Sequence, residues 1–267
     1  MFSLEGKNIL ITGGVGILGK VFVEAFLAQG ASVAIVDINQ AVIDEYIGSL
    51  KLKFNSKIKG YECDISDEEK VKELVKNVIN DFEKIHVLHN NAASKSSDLN
   101  KFFSPFEEYP LETWREIMSV NVDGMFLMAK HVGKHMIDQK INGSIIQTAS
   151  IYGVCAPDQR IYEGSFYLGR QINTPAVYSA SKAAVIGLTK YLSTYWGAQG
   201  IRVNTLTPGG MESGQNNTFI DKYSNRVPLN RMGKPSELVG ALIFLAGDAS
   251  SYVTGQNIIV DGGLSVW

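Results

Sequence analysis

The chain has 267 residues, 45% hydrophobic and 19% charged, with 25 Lys and Arg against 27 Asp and Glu for a formal charge of -2. That is enough apolar material for one large core, and it leaves no polybasic footprint for nucleic acid and no apolar run of membrane-spanning length. Cys63 and Cys155 lack the spacing of a disulfide framework or zinc site, and residues 1–7 carry no apolar signal core, so a cytoplasmic protein without a metal is expected. Strands are predicted at residues 8–12, 32–37, 57–62, 87–90, 143–148, 202–207 and 257–260. Helices are predicted at 18–28, 40–54, 68–82, 111–136, 177–197 and 236–246. Strand-length apolar runs alternating with helical periods predict a single α/β domain over residues 1–267, with a parallel sheet covered by helices on both faces. Residues 94–110, 156–175 and 209–228 lack clear periodicity and follow strands at the edge where such sheets bind ligands. They are read as substrate-side insertions, the last as a lid. His131 and His135 stand four apart on a helix with no evident carboxylate partner and are expected to be solvated or at an interface.

The first strand runs into Thr12-Gly13-Gly14-Val15-Gly16-Ile17-Leu18-Gly19 and then an apolar helix. Glycines there permit a tight turn and bring a pyrophosphate close to N–H groups at the helix start. The second strand ends at Asp37, followed by Ile38, which places a carboxylate where it accepts hydrogen bonds from an adenosine ribose and repels a 2′-phosphate. NAD is therefore expected over NADP; the competing role for Asp37 is a cap on the following helix. Cys63-Asp64-Ile65 and Asn90-Asn91-Ala92-Ala93 close the third and fourth strands at the same edge.

In Tyr178-Ser179-Ala180-Ser181-Lys182, helical spacing puts a phenol and an ammonium one turn apart on one face. A neighbouring cation favours the phenolate, whose reference pKa is about 10, making Tyr178 a candidate general acid/base.

These pieces in this order resemble the short-chain dehydrogenase/reductase family over essentially the whole chain. The matches include Asn90-Asn91-Ala92, Asn121-Val122-Asp123-Gly124, Ser150 followed by Gly153, Tyr178 with Lys182, Arg202-Val203-Asn204, Pro208-Gly209 and Val260-Asp261-Gly262-Gly263. The resemblance implies a single Rossmann-type domain in which Tyr178 is the general acid/base and Lys182 lowers its pKa while holding the nicotinamide ribose. It implies that Ser150 orients the substrate oxygen and that Asn121 anchors a water-linked proton relay. It also implies that Asp64 and Ile65 meet the adenine, Asn91 the adenine-side ribose, and Pro208 with Gly209 the nicotinamide end. The pattern departs in three places: the glycines are spaced in threes with Ile17 where a glycine is usual, Ala93 replaces a glycine, and the connection from Ser150 to Tyr178 is lengthened.

The reaction expected is NAD(H)-dependent interconversion of an alcohol and a ketone by hydride transfer. The inserted residues 157–170 combine Arg160 and Arg170 with Tyr162, Phe166 and Tyr167, and Lys95 and Lys101 add charge from the earlier loop. Arginine forks suit phosphate or carboxylate, so a sugar phosphate or nucleotide sugar is expected, with Arg160, Tyr162, Arg170 and Met211 touching it. The alternative is that the insertion packs on a neighbouring subunit. Within the family the opening strand and loop, residues 150–153 and the Pro157-Asp158 stretch are most similar to flagellin-modification dehydrogenases of nonulosonic-acid gene sets. A 3-oxoacyl-thioester reductase is the competing enzyme, and a non-catalytic dinucleotide sensor the competing class. Helices 111–136 and 177–197 carry apolar or small residues on more than one face, including Met118, Met125, Phe126, Met128, Ala184, Ile186, Leu188, Leu192 and Trp196. The family resemblance implies that they pair in a homodimer or homotetramer.

Overall fold

A computed structural model describes residues 2–167 and 169–267, with the backbone alone at Tyr167 and Arg170. The first half runs β1 (Asn8–Thr12), α1 (Ile17–Ala28), β2 (Ser32–Asp37), α2 (Gln40–Lys51), β3 (Ile58–Glu62), α3 (Glu68–Phe82) and β4 (Val87–Asn90). After the short α4 (Leu99–Phe102) come α5 (Leu111–Met118), α6 (Met125–Asp138) and β5 (Ser144–Thr148). A two-stranded hairpin of β6 (Phe166–Tyr167) and β7 (Arg170–Gln171) then precedes α7 (Ala176–Trp196), β8 (Arg202–Pro208), α8 (Asn217–Ser224), α9 (Val239–Ala246) and β9 (Asn257–Val260).

Seven parallel strands form one sheet in the order β3-β2-β1-β4-β5-β8-β9. The order reverses between β1 and β4, which opens a crevice beyond their carboxyl ends. Each of the seven predicted sheet strands is present within one residue of its expected ends. Strand residues alternate between two apolar layers. Ile9, Ile11, Val33 and Ile35 meet Phe22, Phe26 and the apolar face of α9 on one side. Leu10, Ala34 and Val36 meet α3, α6 and α7 on the other. Burying each large side chain contributes roughly 1.5–3 kcal/mol, and with both faces covered the sheet is a rigid base for its rim.

The helix expected over 111–136 is interrupted. Ser119–Gly124 form a π-helical turn between α5 and α6, and this turn carries Asn121. α2 ends at Lys51 rather than 54, because Lys53 and Phe54 both turn their N–H groups back to the Leu50 carbonyl. The histidine pair does not share a solvated face. His131 meets the Glu68 carboxylate at 3.2 Å, supplying the partner the sequence did not show, whereas His135 is buried and accepts the Ile85 N–H at 3.3 Å. Met125, Met128, Leu192 and Trp196 are core residues of the single chain, and the exposed large apolar side chains over 111–136 and 177–197 are Leu111, Phe126, Tyr191 and Tyr195. Among the described residues, no helix is long and apolar enough to cross a membrane.

Candidate active site

A cleft of about 640 Å³ lies along the sheet rim at the crossover. Its floor begins with the glycine loop, where each of the three spaced glycines has its own task. Gly13 has φ +65, and a Cβ there would stand 2.8 Å from the Ala92 Cα. Gly16 caps α1, and Gly19 packs the helix so closely on the loop that a Cβ would fall 2.0 Å from the Gly13 carbonyl oxygen. No side chain caps this 12-residue helix and no acidic residue sits in its first turn, so the N–H groups at its start and its dipole are available to an anion. Gly16, Ile17, Leu18 and Gly19 all line the cleft.

Asp37 closes the adenosine end. One carboxylate oxygen accepts the Val15 N–H at 3.1 Å and the other its neighbour's N–H, that of Ile38, at 2.9 Å. Its competing role as a helix cap is not the one it plays, because Asn39 caps α2 by accepting the Val42 N–H. Asp64 turns onto Ser66, whose hydroxyl at 2.7 Å and N–H at 3.0 Å hold the carboxyl below its usual range. Ile38, Asp64 and Ile65 line the same end. Asn91 lines the cleft and clasps the glycine loop, its amide donating to the carbonyls of Thr12 and Gly13 at 3.3 and 3.2 Å. Ala92 and Ala93 follow it along the wall. The extra methyl at Ala93 lies on this wall and leaves the cleft open.

At the reacting end, Ser150, Tyr178, Lys182, Pro208, Gly209 and Met211 line the cleft together. Gly153 explains how Ser150, at the end of β5, comes to face α7. A Cβ at Gly153 would stand 2.6 Å from the Lys182 backbone, so only glycine lets the turn after Ser150 rest on that helix. Lys182 is 2% exposed and its ammonium donates to the Thr148 carbonyl at 3.0 Å. Burial draws its pKa down to about 8. Its Nζ lies 5.9 Å from the Tyr178 ring centroid. The expected depression of Tyr178 is absent here: burial raises its pKa, the Ser150 hydroxyl opposes the rise, and the Tyr162 phenol adds to it. Without further positive charge the site holds Tyr178 as a neutral phenol.

Asn121 is fully buried beneath this end. Its Oδ1 accepts the Ser94 N–H at 2.8 Å and its Nδ2 donates to the Ser181 hydroxyl at 3.2 Å. The side chain thus ties the loop after β4 to α7, the helix carrying Tyr178 and Lys182.

Two of the expected substrate contacts lie elsewhere. Arg160 is exposed, and its fork closes on Asp158, the nearest carboxylate in its own turn, with two bonds of 2.8 Å. Tyr162 is buried with its hydroxyl on Thr174 and its ring stacked on Phe219 at 5.3 Å, part of a satellite core with Tyr223. Ile161 and Tyr162 turn inward onto this core, whereas Phe166 is exposed. The Arg170 side chain lies outside the described residues. Residues not singled out in the sequence also line the cleft, among them Val15, Ser94, Thr148 and Ser213. Thr148 was detectable as the last residue of β5, two before Ser150, whereas a backbone donor such as Val15 has no residue-type signature.

A glycine loop at the crossover, a carboxylate at the end of β2 and a phenol beside a buried ammonium define a nicotinamide dinucleotide-dependent oxidoreductase. A family model described as Enoyl-(Acyl carrier protein) reductase matches residues 16–265. The 2,5-dichloro-2,5-cyclohexadiene-1,4-diol dehydrogenase of Sphingobium indicum is 34% identical over 99% of both chains. A short-chain dehydrogenase of Leptospira borgpetersenii solved with NAD+ superposes with a TM-score of 0.86 at 36% identity, covering 98% of this chain and 94% of the other. A Burkholderia cenocepacia gluconate 5-dehydrogenase solved with NADP and tartrate gives 0.85 at 30% identity, covering 100% and 98%. The chain belongs to the short-chain dehydrogenase/reductase family. It is an oxidoreductase that interconverts an alcohol and a ketone by hydride transfer with a nicotinamide dinucleotide.

Proposed function

We propose that the protein oxidises a secondary alcohol of a polyhydroxylated substrate with NAD+, releasing the ketone, NADH and a proton. The observation that carries the cofactor choice is Asp37. Its carboxylate, fixed by the Val15 and Ile38 N–H groups, faces the adenosine end, and the cations lining the cleft, Lys95 and Lys182, belong to the other end. A 2′-phosphate would meet a carboxylate with no cation to offset it. The polyhydroxylated class rests on hydroxyls lining the reacting end, those of Ser94, Ser150, Tyr178 and Ser213. It also rests on the diol and gluconate activities of the relatives.

A bound nicotinamide would supply the hydride acceptor and a positive charge. Gly13, Gly16, Ile17, Leu18 and Gly19 would hold the pyrophosphate at the start of α1, Asp37 with Ile38 the adenosine ribose, and Asp64 with Ile65 the adenine. Asn91, Ala92 and Ala93 form one wall, and Pro208 with Gly209 support the nicotinamide end. Ser150 donates to the substrate oxygen. Tyr178 removes the hydroxyl proton, its phenolate favoured by the combined charge of Lys182 and the oxidised ring over the opposing effect of burial. Lys182 keeps its place through Thr148, and Asn121 fixes the loop and helix between which the alcohol sits. The working form is a cytoplasmic homodimer or homotetramer that covers Phe126, Tyr191 and Tyr195, whose exposures of 46%, 63% and 62% leave aromatic surface to bury.

Titrating the protein with NADH and NADPH, then assaying NAD+ reduction against polyols, sugar acids and 3-hydroxyacyl thioesters, tests this reading. NADH is expected to bind at least about tenfold tighter, the worth of one charge-assisted hydrogen bond. Tighter NADPH binding, or turnover confined to thioesters, overturns it.

A further inference from the structure

We infer that Lys95 is the specificity-determining residue for an anionic group on the substrate. This rests on the dehydrogenase reading above and adds the substrate's charge to it. Lys95 is exposed and lines the cleft, and among the described residues it has no ion-pair partner. The other lining cation, Lys182, is buried with its ammonium on Thr148.

The turn that presents Lys95 is pinned on both sides. Before it, the Ser94 N–H is held by the buried Asn121, which also reaches Ser181 on the helix of Tyr178 and Lys182. After it, Ser96 adopts a left-handed conformation, φ 68, with its hydroxyl on Glu116 at 2.7 Å; the Ser97 N–H meets the same carboxylate at 3.2 Å. A non-glycine residue at positive φ costs of order 1–3 kcal/mol and persists only where its surroundings enforce it. Asp98 is committed too, capping α4 through the Asn100 and Lys101 N–H groups. Glu116 and Asp98 are thus both engaged by the turn itself, and neither forms an ion pair with the charge of Lys95. Asn121 and Ser181 tie this loop to the helix that carries Tyr178 and Lys182, at the reacting end. A substrate bearing a carboxylate or phosphate a few carbons from the reacting carbinol carbon satisfies that charge, and a neutral polyol does not. The arginine that the sequence offered for this task, Arg160, is spent on Asp158.

The test compares two pairs of probes matched in hydroxylated chain, D-gluconate with D-sorbitol and D-ribitol 5-phosphate with ribitol, as substrates for NAD+ reduction by wild type, Lys95→Ala and Lys95→Arg. NADH affinity is measured alongside. Wild type is expected to favour the anionic member of at least one pair. Lys95→Ala is expected to cut that anionic-to-neutral kcat/KM ratio by about 10- to 100-fold through KM, as loss of a charge-assisted bond does, and Lys95→Arg to restore most of it. An unchanged ratio in Lys95→Ala overturns the proposal, as does wild-type preference for the neutral members. So does absence of turnover for all four probes while NADH still binds. A loss of NADH affinity in Lys95→Ala makes Lys95 a cofactor contact and overturns it too. If wild type binds neither dinucleotide, it is the dehydrogenase reading itself that fails.

Discussion

The two ends of the cleft are held by different kinds of bond. At the adenosine end, main-chain groups set the geometry: the Gly13 turn, the bare start of α1, and the Val15 and Ile38 N–H groups on Asp37. At the far end, residues 156–175 and 209–228 are held to each other by side chains. Tyr162, Phe219 and Tyr223 stack in a column, Lys222 donates to the Glu163 carbonyl at 2.8 Å, and the Tyr223 hydroxyl accepts the Gly210 N–H beside the cleft. A backbone-built site tolerates almost no added atom. A side-chain-built wall rests on volume and can be rebuilt by substitution, which suits the end that must distinguish substrates.

The largest effect expected is at the junction of the two ends. Tyr178→Phe keeps the ring and removes the proton carrier, so kcat should fall by about 10²- to 10⁴-fold, the usual worth of a positioned acid/base. NADH affinity should change little. In wild type the oxidation rate should climb with pH until the phenol is ionised, because the productive form is the phenolate, which burial opposes and the charges of Lys182 and the oxidised ring favour. The climb should vanish from what activity Tyr178→Phe retains. A mutant with full turnover and an unchanged pH profile would remove Tyr178 from the chemistry.

Gly19→Ala probes the backbone-built end directly. The added methyl would stand 2.0 Å from the Gly13 carbonyl oxygen and 2.9 Å from the Gly14 Cα, and neither is a flexible side-chain end. The loop or the helix must move, at a cost of about 1–3 kcal/mol, with NADH affinity falling about tenfold or more. Calorimetric titration with a parallel melting curve checks it. Wild-type affinity and stability in this variant would mean that α1 and the loop adjust independently of each other.

How much was legible in the sequence follows the same division. The strands were readable because both faces of the sheet are buried, so Ile9–Leu10–Ile11 and Val33–Ala34–Ile35 are continuous apolar runs. The glycine loop, Asp37 and Asp64 were readable because their positions follow from strand ends, and strand ends set the rim. The π-helical turn at Asn121 was not, since its weak helix formers, Ser119 to Gly124, do not by themselves announce a π turn and the turn follows from packing, including a Gly124 whose Cβ would stand 2.7 Å from Ile65. Nor was the placement of Arg160 and Tyr162. Residue type announces that an arginine will meet an anion, and only the folded chain says that the anion is Asp158.

That last pairing gives the smallest expected effect and the sharpest check on the far end. Arg160→Ala removes a guanidinium that is not part of the cleft lining and is bonded to Asp158 at the surface, where exposed pairs contribute little. If the wall depends on its aromatic column rather than on its charges, the melting temperature and KM for the preferred substrate should both stay within about twofold-equivalent change, roughly 0.5 kcal/mol. Freed Asp158 keeps a second partner, Arg226 at 3.6 Å, so its charge is not stranded. A KM raised tenfold or more would show that Arg160 leaves Asp158 to reach the substrate, returning the anion contact to the insertion and removing the reason to assign it to Lys95.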